Sequence, residues 1–285
     1  MIPATLRVYV TSNCNSKCKY CYRGLGANNP IPIIRNNIDI ENLIKFIDSS
    51  ISFLKKVKIS GGEPTLFPNL SRFIHELSER DLEIELYSNG GLTRLKPSTL
   101  NLISKFHLSL DSLDKDINCT NRGDMASYKS LHDAVEYLHS INQENIQIQI
   151  TLLNDNISTL GATIDYIYKN LGIDQIKVSD VMLSGDEQWQ VERLTNSQLA
   201  MAYNTCMQKR RSSHYDIKIK TTFYRQKMYK LLNHGLSDLL SLFVNQNNEL
   251  YFFIGESSLF YIGNTQLDSP DQILHAMTAK LSIAE

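Results

Sequence analysis

Six short runs of this chain alternate apolar and polar residues one by one. Leu6, Val8 and Val10 alternate with Arg7 and Tyr9, Val57 and Ile59 with Lys56, Lys58 and Ser60, and Leu82, Ile84 and Leu86 with Glu83, Glu85 and Tyr87. The same pattern sets Phe106, Leu108 and Leu110 against His107 and Ser109. It sets Ile146, Ile148, Ile150 and Leu152 against Gln147, Gln149 and Thr151, and Ile176 and Val178 against Lys177 and Ser179. Strand side chains point to opposite faces with a period of two, so each run predicts a strand with one apolar and one polar face. The strands are placed near 5–10, 56–60, 82–88, 106–110, 146–152 and 174–180.

Helical periodicity fills the intervals, near 39–54, 68–80, 97–104, 127–141 and 157–171, with Asp39 and Pro97 as start signals and Gly172 beyond an end. Strand and helix in alternation predict repeated βα units around a parallel sheet, about six of them. An antiparallel sheet with one wet face would alternate in the same way, but helices of this length between the strands oppose it. Parallel strands covered on both faces read as continuous apolar runs, and a packed barrel interior is filled with Val, Ile and Leu. Here the apolar face meets the helices, and the polar face must line a wet chamber or pair its charges. Two readings of Glu83 and Glu85 remain open: they face a ligand, or they neutralise Lys56, Lys58 or Arg7 low in the barrel. His107 is expected to hydrogen-bond a carboxylate in that chamber rather than to bind metal, and Tyr9 and Tyr87 share its face.

The pattern changes after residue 190, dividing the chain into 1–190 and 191–285. Helical stretches near 195–210 and 222–235 precede S-L-F-V and E-L-Y-F-F, joined by an Asn-Gln-Asn-Asn turn that reads as a hairpin; S-S-L-F-Y-I-G-N and a last helix near 270–282 follow. The expected architecture is α/β, with a small α+β extension.

Formal net charge is −1 over 285 residues with both signs scattered, which argues against a nucleic-acid or anionic-membrane partner held by bulk electrostatics. The amino terminus shows no basic leader and no run approaches the length of an apolar membrane span, so a cytoplasmic protein is expected. Of five cysteines, three crowd into one loop as Cys14, Cys18 and Cys21, which is no secreted disulfide framework. Three thiolates can hold three corners of a [4Fe–4S] cube and leave one iron open, whereas structural zinc takes four closed ligands. Cys119 and Cys206 lie far away in sequence; a thiol can quench a carbon radical by giving up hydrogen, and the alternative for each is a small buried hydrophobe.

The Cx3CxxC spacing, Tyr20 before its last cysteine and the S-G-G-E-P turn at Ser60, Gly61, Gly62, Glu63 and Pro64 together resemble the radical S-adenosylmethionine (SAM) superfamily. That resemblance implies a partial (βα)6 TIM-like barrel, one [4Fe–4S] cluster on Cys14, Cys18 and Cys21, and SAM chelated at the open iron and cleaved reductively to a 5′-deoxyadenosyl radical. It further implies that Ser60 to Pro64 bind the methionine ammonium and that Tyr20 contacts adenine. Asn89, in Y-S-N-G-G, and Ser109, in H-L-S-L-D beside Asp111, contact cofactor polar groups by the same likeness. Arg122 meets the methionine carboxylate, and Met182 lies on the adenine side. L-R-V-Y-V-T-S-N-C-N is similar to the opening of the enzyme that cyclises GTP, which makes Arg7 and Lys58 candidates to face substrate. That enzyme's second cysteine triplet and paired-glycine tail have no counterpart here.

The extension resembles a degenerate SPASM or twitch segment in which Phe252, Phe253 and Ser258 stand where auxiliary-cluster cysteines would be expected. The resemblance therefore implies one cluster only and, as substrate, a ribosomal peptide to be modified. No winged-helix leader-binding domain is seen, so a separate partner is expected to supply leader recognition. A nucleotide, sugar or other small molecule is the alternative substrate class, and a non-catalytic iron–sulfur or SAM-binding protein the alternative of another kind. Flavodoxin or ferredoxin is the expected electron donor.

Overall fold

The computed structural model describes residues 4–21, 37–181, 194–212, 217–222, 241–244, 249–254, 258–265, 267, 268 and 272. Its first half runs β1 (Ala4–Tyr9), α1 (Ile40–Ser50), β2 (Leu54–Ser60), α2 (Leu70–Ser78), β3 (Glu83–Ser88), α3 (Pro97–Leu100), β4 (Lys105–Ser109), α4 (Lys115–Arg122) and α5 (Ser127–Ser140). The second half runs β5 (Ile146–Thr151), α6 (Leu160–Leu171), β6 (Gln175–Ser179), α7 (Asn196–Arg211), β7 (Lys218–Thr222), β8 (Ser241–Val244), β9 (Glu249–Ile254) and β10 (Ser258–Asn264). Local chemistry sets several of these ends. The Asp39 carboxylate accepts the Glu41 and Asn42 amides at the start of α1, Thr195 and Gln198 form a capping box on α7, and Gly172 ends α6 in the left-handed region.

All strands belong to one sheet in the order β10-β9-β8-β1-β2-β3-β4-β5-β6-β7. Strands β1 to β7 are parallel and adjacent in sequence order, as a partial TIM-like barrel requires. The series exceeds the six strands expected, because Lys218–Thr222 adds a seventh beside β6. At the other edge β8 joins β1 in parallel, and β9 and β10 continue antiparallel, so the expected hairpin of β8 and β9 is formed and extends the same sheet. The helices read near 222–235 and 270–282, and Met182, lie outside the described residues.

The apolar face packs under the helices as the alternation demands. Leu6, Val57, Ile84, Phe106, Ile148 and Ile176 are fully buried with Leu43 and Ile47 of α1, Phe73 and Ile74 of α2, Leu131 of α5 and Ile164 of α6. Each such side chain contributes about 1.5–3 kcal/mol of burial free energy. In-register pairing carries the polar residues onto one inner face: Arg7 beside Lys58, Lys58 beside Glu85, Glu85 beside Lys105, and Tyr87 beside His107.

Candidate functional site

The cysteine loop follows β1 at the carboxyl end of the sheet, where parallel α/β proteins hold their ligands. Its backbone is tied down on two sides. Toward β2, the Gly62 and Glu63 amides donate to the Thr11 and Asn13 carbonyls at 2.7 and 2.8 Å. Toward α4, the Lys17 and Lys19 amides donate to the Arg122 and Asn121 carbonyls at 3.1 and 2.9 Å. The glycines make this approach possible: a Cβ on Gly62 would overlap the Asn13 carbonyl, and one on Gly123, which sits at φ +58°, would overlap the Lys17 carbonyl. Close backbone packing thus accounts for Gly62 before any ligand is considered.

Glu63 is buried and fully engaged. One carboxylate oxygen accepts from the Thr65 amide (3.1 Å), the Thr65 hydroxyl (2.8 Å) and the Ser88 hydroxyl (2.8 Å), and the other from the Asn89 amide (2.7 Å). It locks the turn after β2 to the turn after β3. Asn89 then passes the constraint to the cysteine loop, donating to Asn15 Oδ1 and Ser16 Oγ at 2.9 and 3.0 Å. Ser60 and Ser109 are half-buried on the inner face, Ser60 beside Tyr9 and Ser109 beside Gln149.

Tyr20 lies between the second and third cysteines and packs against Leu153 and Val181, an apolar shelf above β5 and β6. Its phenol donates to Asp111 Oδ2 at 2.6 Å and accepts from Arg122 Nη1 at 2.7 Å. Burial opposes the Arg122 charge, but Tyr20, Cys18 and Asp111 outweigh it and hold the guanidinium above its usual range. Burial pushes the Cys18 thiol up to about 11, with Arg122 offsetting part of the rise, and Arg122 acts on Cys14 in the same sense. The guanidinium is therefore electrostatically coupled to two of the three thiols.

Among the described residues no three His, Cys, Asp or Glu side chains converge as ligands of one metal ion. A cubane takes its thiolates at separate irons, so its ligands need not converge on one point. The fit of the site to its implied cofactors shows in orphaned polar atoms. Among the described residues four side-chain atoms are buried without a partner; Ser50 Oγ lies in α1, and the other three, Ser12 Oγ, Asn121 Oδ1 and Arg122 Nε, sit in the cysteine loop or the end of α4 beside it. Buried polar groups are normally satisfied, so such a cluster marks donors and acceptors that await a ligand. The Nε of Arg122 in particular borders the guanidinium edge that accepts a carboxylate fork.

Deeper in the sheet, Glu85 is a hub. It accepts from Lys56 at 2.7 Å, lies 3.4 Å from Lys58, and meets His107 Nε2 at 2.9 Å. Burial alone would raise its carboxyl; His107, Lys56 and Lys58 instead hold it far below the usual carboxylate range. Gln149 Nε2 lies 2.9 Å from His107 Nδ1, so an amide donor there leaves the ring proton on Nε2, toward Glu85. Tyr87 stacks on His107 with centroids 4.1 Å apart, and Arg7 lies 5.7 Å from the Tyr87 centroid. The neutralising role of Glu85 is thus realised, and His107 bonds a carboxylate as expected.

Neither distant cysteine lies on this inner face. Cys206 of α7 is buried in the hydrophobic core, which pushes its thiol up to about 12, and Cys119 of α4 donates to the Met125 carbonyl at 3.4 Å. Asp111 and the shelf of Leu153 and Val181 join the site without having been singled out as binding residues. The sequence signal for the shelf is Leu152-Leu153, two adjacent leucines that end the alternation just after β5.

The family model of the Radical SAM superfamily matches residues 8–167, from β1 into α6. The chain belongs to the radical SAM superfamily. Membership carries a [4Fe–4S] cluster and SAM as cofactors. A GTP 3′,8-cyclase of Aliarcobacter butzleri is 36% identical over 121 residues, 39% of this chain and 35% of that protein. An S-adenosylmethionine-dependent nucleotide dehydratase of a Fibrobacter species is 30% identical over 156 residues, 52% of this chain and 46% of that protein. The chain thus matches about half or less of the length of these relatives. Among solved structures, Streptococcus suis SuiB bound to SAM superposes with a TM-score of 0.72 at 15% identity, covering 95% of this chain and 65% of that one. Another structure of SuiB holds the precursor peptide SuiA.

Proposed function

We propose that this protein is a radical SAM enzyme acting on an anionic small molecule, with a phosphorylated nucleoside as the leading class. The observation that carries this reading is the charge of the inner face. Arg7, Lys56, Lys58, Lys105, Lys177 and Lys220 outnumber Glu83 and Glu85 there, and both carboxylates are already engaged, Glu83 by Lys56 and Glu85 by Lys56, Lys58 and His107. Cations gathered at the base of a chamber with low-dielectric walls attract and orient phosphate or carboxylate groups. The nucleotide named for both relatives supports the choice.

When bound, the cluster and SAM supply a 5′-deoxyadenosyl radical that takes a hydrogen atom from substrate. The protein's own residues bind and orient. Cys14, Cys18 and Cys21 hold the cluster, Arg122 turns its unpaired Nε edge to the methionine carboxylate, and Tyr20 with Leu153 and Val181 offers an apolar shelf to adenine. Asn89 and Glu63 keep the loop and the Gly61-Gly62 turn in one geometry. A low-potential carrier such as flavodoxin or ferredoxin supplies the electron, in a reducing cytoplasm.

The test is anaerobic incubation of the reconstituted protein with reductant, SAM and a panel of nucleoside phosphates, sugar phosphates and the parent nucleosides. A phosphorylated compound should raise the rate of 5′-deoxyadenosine formation while its unphosphorylated parent does not; stimulation by none would overturn the reading. A second reading, modification of a ribosomal peptide, is favoured by the fold shared with SuiB across 95% of the chain. It predicts a mass change in a peptide encoded beside this chain on coexpression.

A further inference from the structure

We infer that Tyr20 is a positioning residue for SAM: its phenol stands between Asp111 and Arg122, keeps the two from pairing directly, and so leaves the Nε edge of Arg122 turned to the methionine carboxylate. This rests on the reading of Arg122 as that carboxylate's partner. The geometry is specific. Arg122 Nη1 is 2.7 Å from the Tyr20 oxygen but 4.0 Å from Asp111 Oδ2, too far for a hydrogen bond, while the phenol donates to that same Oδ2 at 2.6 Å. The hydroxyl is the sole bridge between these two ionic groups among the described residues.

Asp111 cannot retreat to make room. Its other carboxylate oxygen accepts the Thr151 amide at 3.0 Å, its own amide donates to Asn118 Oδ1 at 2.9 Å, and its carbonyl accepts from Asn156 Nδ2 at 2.9 Å. Arg122 is the less constrained side chain: among the described residues its guanidinium donates from Nη1 to Tyr20, and its buried Nε has no partner. Remove the phenolic oxygen, and a buried guanidinium faces a buried carboxylate across a gap that a small swing closes. Direct pairing would satisfy Arg122 and Asp111 together, and a ligand carboxylate would then have to break a formed ion pair to bind. The phenol therefore keeps Arg122 oriented and available.

The test measures equilibrium binding of SAM and of decarboxylated SAM, which lacks only the carboxylate, to the anaerobically reconstituted protein, with iron content and melting temperature alongside. Tyr20→Phe retains the ring and its packing on Leu153 and Val181. It should weaken SAM about tenfold, the worth of one charge-assisted hydrogen bond, with iron content and decarboxylated SAM affinity unchanged. Adding Asp111→Asn to Tyr20→Phe removes the competing charge and should restore SAM affinity; a merely structural tyrosine would not be rescued in this way. Asp111→Glu, with Tyr20 in place, lengthens the carboxylate toward Arg122 and should also weaken SAM selectively, which keeps a test in hand if Tyr20→Phe does not fold. Wild-type SAM affinity in Tyr20→Phe or in Asp111→Glu, equal loss of both ligands, or a fall in iron content would overturn the inference. Arg122→Gln separates it from its premise: if that variant binds SAM normally, the reading of Arg122 itself fails.

Discussion

Glu85 is buried among Lys56, Lys58 and His107, and replacing its carboxylate by an amide removes the negative charge and one of the two acceptor oxygens these donors share. Glu85→Gln should cost about 2–3 kcal/mol in denaturant unfolding at pH 7, since breaking a buried pair strands the partner charges. The sign with pH follows from the depressed carboxyl. Its contribution is complete above the unfolded value of 4.5 and is lost as pH falls toward the folded value below it. The gap between wild type and Glu85→Gln should therefore stay constant from pH 6 upward and narrow below the unfolded value. At the cysteine loop, Gly62→Ala drives a Cβ into the Asn13 carbonyl. It should cost about 1–3 kcal/mol by overpacking and lower the iron retained after reconstitution, read by melting and by iron assay. Cys14, Cys18, Tyr20, Cys21, Asn89 and Arg122 could be nominated at this scale because their short motifs carry the likeness. Asp111 as a bridge, and Leu153 and Val181 as a shelf, were not, since their roles come from three strand ends meeting one loop.

The alternation of the strands translated directly into layers at the scale of elements. Phe73 of α2 is fully buried against the apolar face, whereas Lys220 of β7 is exposed on the polar one. Phe73→Ala should cost about 3–5 kcal/mol and Lys220→Ala less than about 0.5 kcal/mol, both read from denaturant midpoints. Similar losses at the two positions would contradict the assignment of faces. Two elements escaped the pattern for physical reasons. The buried residues of α4 are Asn118, Cys119, Asn121 and Arg122, because this helix packs its polar end against the cysteine loop instead of an apolar face on the sheet. Strand β7 buries Ile219 with Ile217 just before it, too short a period to separate from its surroundings. Helix starts at Asp39 and Pro97 and the end at Gly172 were readable because caps depend on local chemistry alone.

The order of strands β1 to β7 in the whole molecule follows from the βα alternation and the rule that successive parallel strands neighbour one another. The parallel seat of β8 on the free edge of β1 does not, since it joins segments more than two hundred residues apart and no local signal specifies it. That sheet sets the cysteine loop, the Glu63 lock and Arg122 together at the carboxyl ends of its parallel strands. The central claim is that the three-cysteine loop holds a cluster at which SAM is cleaved. Its most direct test is 5′-deoxyadenosine measured after anaerobic reconstitution with iron and sulfide, reduction, and addition of SAM, in wild type and in the variant with Cys14, Cys18 and Cys21 changed to alanine. The account predicts nucleoside formation and retained iron in the wild type and neither in the triple variant. Iron retained equally by both, or no 5′-deoxyadenosine from a wild type carrying an intact reduced cluster, would contradict it.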